Sequence, residues 1–154
     1  MRIRVICEGK TRDAHLRALA ADYEKRISRF VEIFIEETRP LRGPKDGNSK
    51  TVSSEEKRLL EKLRESKKVL LDERGREWTS EEFAEWLGEQ ALRGTRDIAF
   101  VVGGPDGFSE AVRDKADQLL ALSRLTLTHD WARVLLLEQI YRGFTILRGY
   151  PYPR

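Results

Sequence analysis

The sequence predicts an α/β fold built on a largely parallel sheet, and three observations carry that expectation. Short apolar segments of strand length alternate with stretches of helical period along the whole chain. Residues 98–102, IAFVV, are continuously apolar, as a central strand covered on both faces must be. Residues 119–149 run into a helix whose Val134, Leu135, Leu136, Leu137, Ile140, Tyr141, Phe144, Ile146 and Leu147 leave little polar back. Both faces of that helix need cover, from this chain or from a second copy.

The elements follow in order. Residues 2–8 alternate Ile3, Val5 and Cys7 against Arg2, Arg4 and Glu8, a strand with one side in the core, ended by Gly9. From Asp13, a helix N-cap, Leu16, Leu19, Ala20, Tyr23, Ile27 and Phe30 recur at helical spacing. Residues 31–38 carry Val31, Ile33 and Ile35 at alternate positions among acidic residues, a second strand. Residues 39–50, dense in Pro, Gly and basic side chains, read as an exposed mobile loop within the domain. Ser53 and Glu56 have capping-box spacing ahead of a helix carrying Leu59, Leu60 and Leu63. Val69, Leu70 and Leu71 form a short third strand that stops in a turn over 72–75. Thr79 and Glu82 repeat the capping box, and Phe83, Trp86, Leu87 and Ala91 extend a helix to Gly94. The fourth strand, 98–102, runs into GGPDGFS. Ser109 caps a helix carrying Val112, Ala116, Leu119 and Leu120, and residues 125–128 make a fifth strand before the last helix.

Composition bounds the function classes. The 154 residues read as a single domain, 1–154, and 36% charged residues yield a formal net charge of only +3, too mild for a dedicated duplex binder. One cysteine, Cys7, excludes an internal disulfide and fits a reducing compartment; it lies in the core pattern of the first strand and reads as packing. With no signal-like leader and no apolar run near membrane length, the expectation is a soluble cytoplasmic protein. The only histidines are His15, read as surface, and His129, so no metal site is expected.

In open parallel sheets ligands sit beyond the carboxyl ends of the strands. Three such ends stand out: 71–73, 103–107 and 122–128. The glycines of GGPDG allow a close backbone approach to a ligand, with a plain tight turn as the competing reading. GGPDGFS matches neither phosphate-binding glycine motif, which leaves nucleotide hydrolysis without support. His129, beside Asp130 at the start of the last helix, is either a base or orienting donor or a capping residue. Arg133, Glu138, Gln139 and Arg142, polar within an apolar helix, are paired in an interface or turned toward a ligand. The aromatic and basic tail 148–154 suits base stacking and phosphate contact, or is a bland tail.

Five stretches, LLDERGREW (70–78), FVVGGPDGF (100–108), LSRLTLTH (122–129), ARVLLLEQIYRGFTI (132–146) and Gly149-Tyr150-Pro151-Tyr152, together resemble the RlmH family. Those are SPOUT-class methyltransferases that methylate N3 of a pseudouridine in large-subunit (23S) ribosomal RNA with S-adenosyl-L-methionine. The resemblance spans the chain and rests on GGPDG, LTLTH and RVLLLEQIYR occurring in that order. It implies a SPOUT fold with a C-terminal trefoil knot, where periodicity alone predicts an ordinary doubly wound sheet. It also implies a cofactor pocket formed by Leu71, by Gly103 and Gly104, and by Leu122, Ser123, Arg124, Leu125, Thr126 and Leu127. A homodimer with the last helix in its interface, acting on the ribosome with the partner's tail at the RNA site, is implied as well. For catalysis the resemblance points to Arg142, Tyr152 and Arg154, with His129 and Glu138 supporting. Two departures stand out: Pro153 occupies a tail position where the family commonly has His, and Thr128 one where Pro is frequent. A noncatalytic ribosome-binding or assembly factor, or a SPOUT methyltransferase with another RNA target, are the alternative expectations.

Overall fold

The computed structural model describes residues 1–41 and 52–153. Its one sheet has five parallel strands in the order β2-β1-β4-β3-β5: β1 (Arg2–Glu8), β2 (Glu32–Thr38), β3 (Lys67–Glu77), β4 (Asp97–Val102) and β5 (Gln118–Ala121). β4 lies at the centre and is buried at every position, as its unbroken apolar run requires. Its side chains alternate between two cores. Ile98, Phe100 and Val102 join Ile3, Val5, Cys7 and Val69 under α1 (Ala14–Ile27), α3 (Ser80–Leu92) and α5 (His129–Arg148). Ala99 and Val101 join Ile6, Leu70, Leu59, Leu63 and Val112 beneath α2 (Ser54–Lys62) and α4 (Glu110–Arg113). The two cores make three layers, helices on both faces of a parallel sheet.

Local chemistry marks the helix ends where the sequence places them. Asp13 accepts from His15 N and Leu16 N, both capping boxes are formed, and the Thr128 side chain accepts from Trp131 N at the head of α5. Gly149 ends α5 in the left-handed region, φ 64°. Within α5, residues Arg133, Val134, Leu136, Leu137, Ile140, Gly143, Phe144 and Thr145 are buried. Gly143 lets α5 approach α3 closely: a Cβ would stand 2.9 Å from Leu87 Cδ1. Trp131, Ile146 and Leu147 remain exposed, so the cover expected for α5 is complete on one side only.

Three expected elements are corrected. First, β3 does not stop at Leu71 but continues to Glu77. Leu120 faces Leu71 and then Arg76, with a register irregularity between them. Asp72 accepts from Arg74 N at 2.9 Å inside that irregularity, a turn-like local bond that does not end the strand because β5 supplies an edge beyond it. Second, the helix expected over 112–120 is only α4, and Leu119 and Leu120 belong to β5. Asp117 recruits the chain to the sheet, donating its N–H to Lys68 O at 2.9 Å and accepting from Lys68 N at 2.7 Å. Third, residues 125–128 are not a strand. Leu125 is 78% exposed, its N–H donates to Ser123 Oγ, and Thr128 serves as the cap of α5. Of the loop expected at 39–50, Arg39 and Pro40 are exposed and Leu41 is buried, while 42–50 lie outside the described residues.

Candidate active site

Adjacent strands bring the three candidate ends together. Leu71 on β3 is paired with Val102 on β4 and with Leu120 on β5, so Gly103 and Gly104 follow on one side and 122–127 on the other. The ladder stops at Val102 and Ala121, leaving the backbone groups beyond them outside sheet pairing. The 103–109 loop is closely held. Gly104 N–H donates to Glu8 Oε2 at 2.6 Å, Gly107 (φ +65°) returns its N–H to Gly104 O at 3.0 Å, and Ser109 N–H donates to Glu56 Oε1 at 3.2 Å. A Cβ at Gly103 would meet the Phe108 ring at 3.1 Å, and one at Gly104 would meet the Glu8 carboxyl at 2.8 Å. Burial pushes the Glu8 carboxyl upward, against the two amides that donate to it. Leu71 and Leu122 are half-buried, Leu125 is exposed, and a cleft of about 180 Å³ beside Leu122 is lined by Trp78, Phe83, Leu120, Leu135 and Gln139. That cleft abuts the 122–127 segment and does not include Gly103.

At the head of α5, His129 Nε2 stands 3.5 Å from Asp130 Oδ1, an oxygen that is buried without a hydrogen bond. Arg133, whose role the sequence left open, is 2% exposed. Its Nη1 donates to Thr11 Oγ1 and to Glu37 Oε1 at 3.0 Å, and its Nη2 donates to Gly9 O at 2.9 Å. It ties α5 to the turn after β1 and to the end of β2 rather than facing a ligand. Cys7 beneath it is buried, and burial pushes its thiol up to about 12, which fits the packing role read from the sequence.

The other candidates sit farther along α5. Arg142 donates from Nε and Nη2 to Glu138 Oε1 at 3.1 and 2.7 Å, and from Nη1 to Pro153 O at 2.7 Å. Its guanidinium lies 4.5 Å from the Tyr152 ring centroid. After Gly149 the chain doubles back, Tyr150 N–H donating to Thr145 O at 2.9 Å, so that Tyr152 packs edge-on against Tyr141 and shares a 3.1 Å hydrogen bond with the Tyr23 hydroxyl. Burial, then the Tyr23 bond and the Glu138 charge, push the Tyr152 phenol upward, so it stays protonated near neutral pH and is no base there. The structure therefore gathers Arg142, Glu138 and Tyr152, and gathers His129 with the strand ends, but keeps the two groups apart. More than three turns of α5 separate His129 from Arg142, a rise of roughly 20 Å. Arg154 lies outside the described residues. The holds of Glu8 and Glu56 on the 103–109 loop, and the Asp72–Arg113 pair (2.8 Å) that joins β3 to α4, were not legible in the sequence. Glu8 reads in sequence only as the solvent side of an alternating strand.

A parallel sheet wrapped by helices on both faces, with glycine-rich and apolar strand ends converging beside a final helix, is an architecture found among methyl-transferring enzymes. The chain belongs to the SPOUT methyltransferase family: the family model described as "Predicted SPOUT methyltransferase" matches residues 1–153. It is 44% identical to ribosomal RNA large subunit methyltransferase H of Anaeromyxobacter sp. (strain Fw109-5), over 99% of both chains. With the protein of the same name from Geobacter sp. (strain M21) it shares 42% identity, over 99% of this chain and 98% of the relative. Among solved structures it resembles a tRNA methyltransferase from Aquifex aeolicus, with TM-score 0.58, 16% identity, and coverage of 100% of this chain and 75% of that one. A probable methyltransferase from Bordetella pertussis Tohama I gives TM-score 0.54 at 12% identity, over 93% and 96% of the two chains. These structural likenesses speak to the fold.

Proposed function

We propose that this chain is a large-subunit ribosomal RNA methyltransferase that transfers a methyl group from S-adenosyl-L-methionine to N3 of a pseudouridine in 23S rRNA. It acts in the cytoplasm, on the ribosome, as a homodimer of single-domain protomers. The observation that carries this reading is the meeting of the β4, β3 and β5 ends around paired Leu71, Val102 and Leu120, in a chain whose relatives are named for large-subunit rRNA methylation. Those names favour an enzyme over a noncatalytic assembly factor.

The residues at the strand ends fit the methyl donor. Backbone groups of Gly103 and of 122–127 lie outside the sheet ladder and suit recognition of a purine edge, Gly104, bonded through its N–H to Glu8 and through its carbonyl to Gly107, shapes the loop beside them, and the half-buried faces of Leu71 and Leu122 suit the apolar planes of the purine. Bound there, S-adenosyl-L-methionine would supply an electrophilic methyl on a sulfonium. The protein's own task is to align the imide nitrogen and to stabilise its anion. Arg142, kept in place by Glu138, supplies the positive charge for that anion, and Tyr152, protonated, offers a ring for stacking and a hydroxyl for hydrogen bonding. His129 orients the substrate from the donor side, and Arg154 adds charge at the tail.

The separation of His129 from Arg142 favours a composite site, with one protomer's strand ends facing the partner's tail. The exposed Trp131, Ile146 and Leu147 on α5 and half-buried Leu135 are suited to that interface. The trefoil knot belongs to this reading as what the resemblance to the family implies. The decisive experiment incubates the protein with radiolabelled S-adenosyl-L-methionine and ribosomes lacking the modification, then maps the label. Label on the pseudouridine is expected. Donor binding without transfer would turn the reading to the noncatalytic factor, and Pro153→His would then be the variant in which to look for restored transfer.

A further inference from the structure

Two carboxylates outside the residues assigned so far share an unusual task. Glu8, at the end of β1, accepts from Gly104 N at 2.6 Å with one oxygen and from Leu41 N at 2.7 Å with the other. Glu56, in the first turn of α2, accepts from Ser109 N at 3.2 Å with one oxygen and from Ser53 N at 2.9 Å with the other. Gly104 and Ser109 are the two ends of the GGPDGFS loop. The fold thus grips that loop at both ends with charge-assisted hydrogen bonds, and each grip takes its second amide from a different stretch of chain.

We propose that Glu8 and Glu56 are positioning residues of the methyl-donor site, fixing the 103–109 loop so that its backbone presents one conformation to the donor. This rests on the functional reading above and deepens it. Glu56 does more than close a capping box. A surface box needs one oxygen for its own helix, whereas this carboxylate is 1% exposed and spends its other oxygen on a loop 53 residues away. Glu8 fills the space that a Cβ on Gly104 would need, so the glycine and the carboxylate are complementary parts of one joint. Between the two grips, Phe108 packs its ring on Gly103 and is 4% exposed, while Pro105 and Asp106 stay exposed. With its ends and its apolar anchor held, the loop loses little conformational freedom when a ligand binds, which favours affinity.

Glutamine tests the proposal with little change of shape, because its NH2 cannot accept the second N–H. Glu8→Gln leaves one of the Gly104 and Leu41 amides, and Glu56→Gln one of the Ser109 and Ser53 amides, facing an NH2 group, and exchange of that amide, followed by NMR without ligand, should quicken. KM for S-adenosyl-L-methionine should rise roughly tenfold, as expected from losing one hydrogen bond to a charged group, with a much smaller fall in kcat. Gly104→Ala, which displaces the Glu8 carboxyl, should mimic Glu8→Gln. Thermal unfolding is followed in parallel. Glu8 is half-buried, so its variant keeps the test open if Glu56→Gln fails to fold. Unchanged exchange of both the Gly104 and the Leu41 amides in Glu8→Gln would show that the carboxylate does not hold the loop, and faster exchange with unchanged KM would make the grip merely structural. Either result overturns the proposal alone. Absence of donor binding by the unsubstituted chain in calorimetry would overturn the functional reading and this role with it.

Discussion

The guanidinium of Arg142 stands 4.5 Å from the centroid of the Tyr152 ring while one of its nitrogens holds the carbonyl of Pro153. One side chain thereby fixes both the orientation and the path of the tail. Arg142→Ala should lower methyl transfer about 100-fold through loss of anion stabilisation, yet move unfolding by no more than about 1 kcal/mol, since the Glu138 pair is a single-turn helix contact. Arg142→Lys should not restore the rate, because a lysine ammonium cannot reproduce the planar fork that meets Glu138 and the tail together. Single-turnover methylation beside urea unfolding separates the two effects.

Arg133 makes the opposite prediction. It is buried, and its removal leaves Gly9 O, Thr11 and Glu37 without their shared donor. Arg133→Met should cost about 2 kcal/mol of stability in urea, because the buried Thr11 hydroxyl and the Gly9 carbonyl lose their donor while the exposed Glu37 carboxylate turns to water. A loss of activity at constant stability would show instead that Arg133 reaches the substrate.

Gly75 is intolerant for a backbone reason. A Cβ there would lie 2.5 Å from Leu120 N, and a peptide unit cannot swing aside as a side-chain tip can. Gly75→Ala should separate β3 from β5 and destabilise by roughly 3 kcal/mol or more, read as a lower denaturant midpoint. Gly94, whose absent Cβ would meet nothing within 4 Å, is the control for lost flexibility, although its positive φ adds strain of its own.

Cys7 gives a pH prediction. Burial raises its thiol from 9.0 to about 12, opposed by the nearby Arg133 charge. The folded thiol therefore keeps a proton that the unfolded one releases, so its contribution to stability is complete below pH 9.0 and is lost as pH climbs toward about 12. Unfolding free energy of the unsubstituted protein should fall across that window more steeply than that of Cys7→Ala. Iodoacetamide should label Cys7 only after denaturant is added; rapid labelling of the native protein would contradict the burial.

What was legible in the sequence was whatever short-range chemistry decides. The unbroken apolar run at 98–102 announced a central strand, and the Ser53/Glu56 and Thr79/Glu82 pairs announced helix starts. Leu119 and Leu120 were misplaced because their spacing from Val112 and Ala116 suits a helix as well. Only Asp117 meeting Lys68, a contact between distant segments, decides for a strand. The role of Arg133 was hidden for the same reason, since its partners Thr11 and Glu37 lie far off in sequence. Glu8 was hidden because alternation assigns it to solvent, whereas the loop after β4 folds over it. At the site, the sequence places the candidate residues at strand ends or in the tail, and only the fold reveals that they form two groups.

The central pairing of β1 with β4 also bears on how the molecule is made. Arg4 and Asp97, joined across that pair, are 93 positions apart, and β5 and α5 come later still. During synthesis the first strand must wait for its central neighbour, with only β2 beside it and its apolar face incompletely covered. Contacts of such long sequence separation slow folding. The central core should consequently form only once β4 is available, with helper chaperones most useful in the interval before residue 102 emerges.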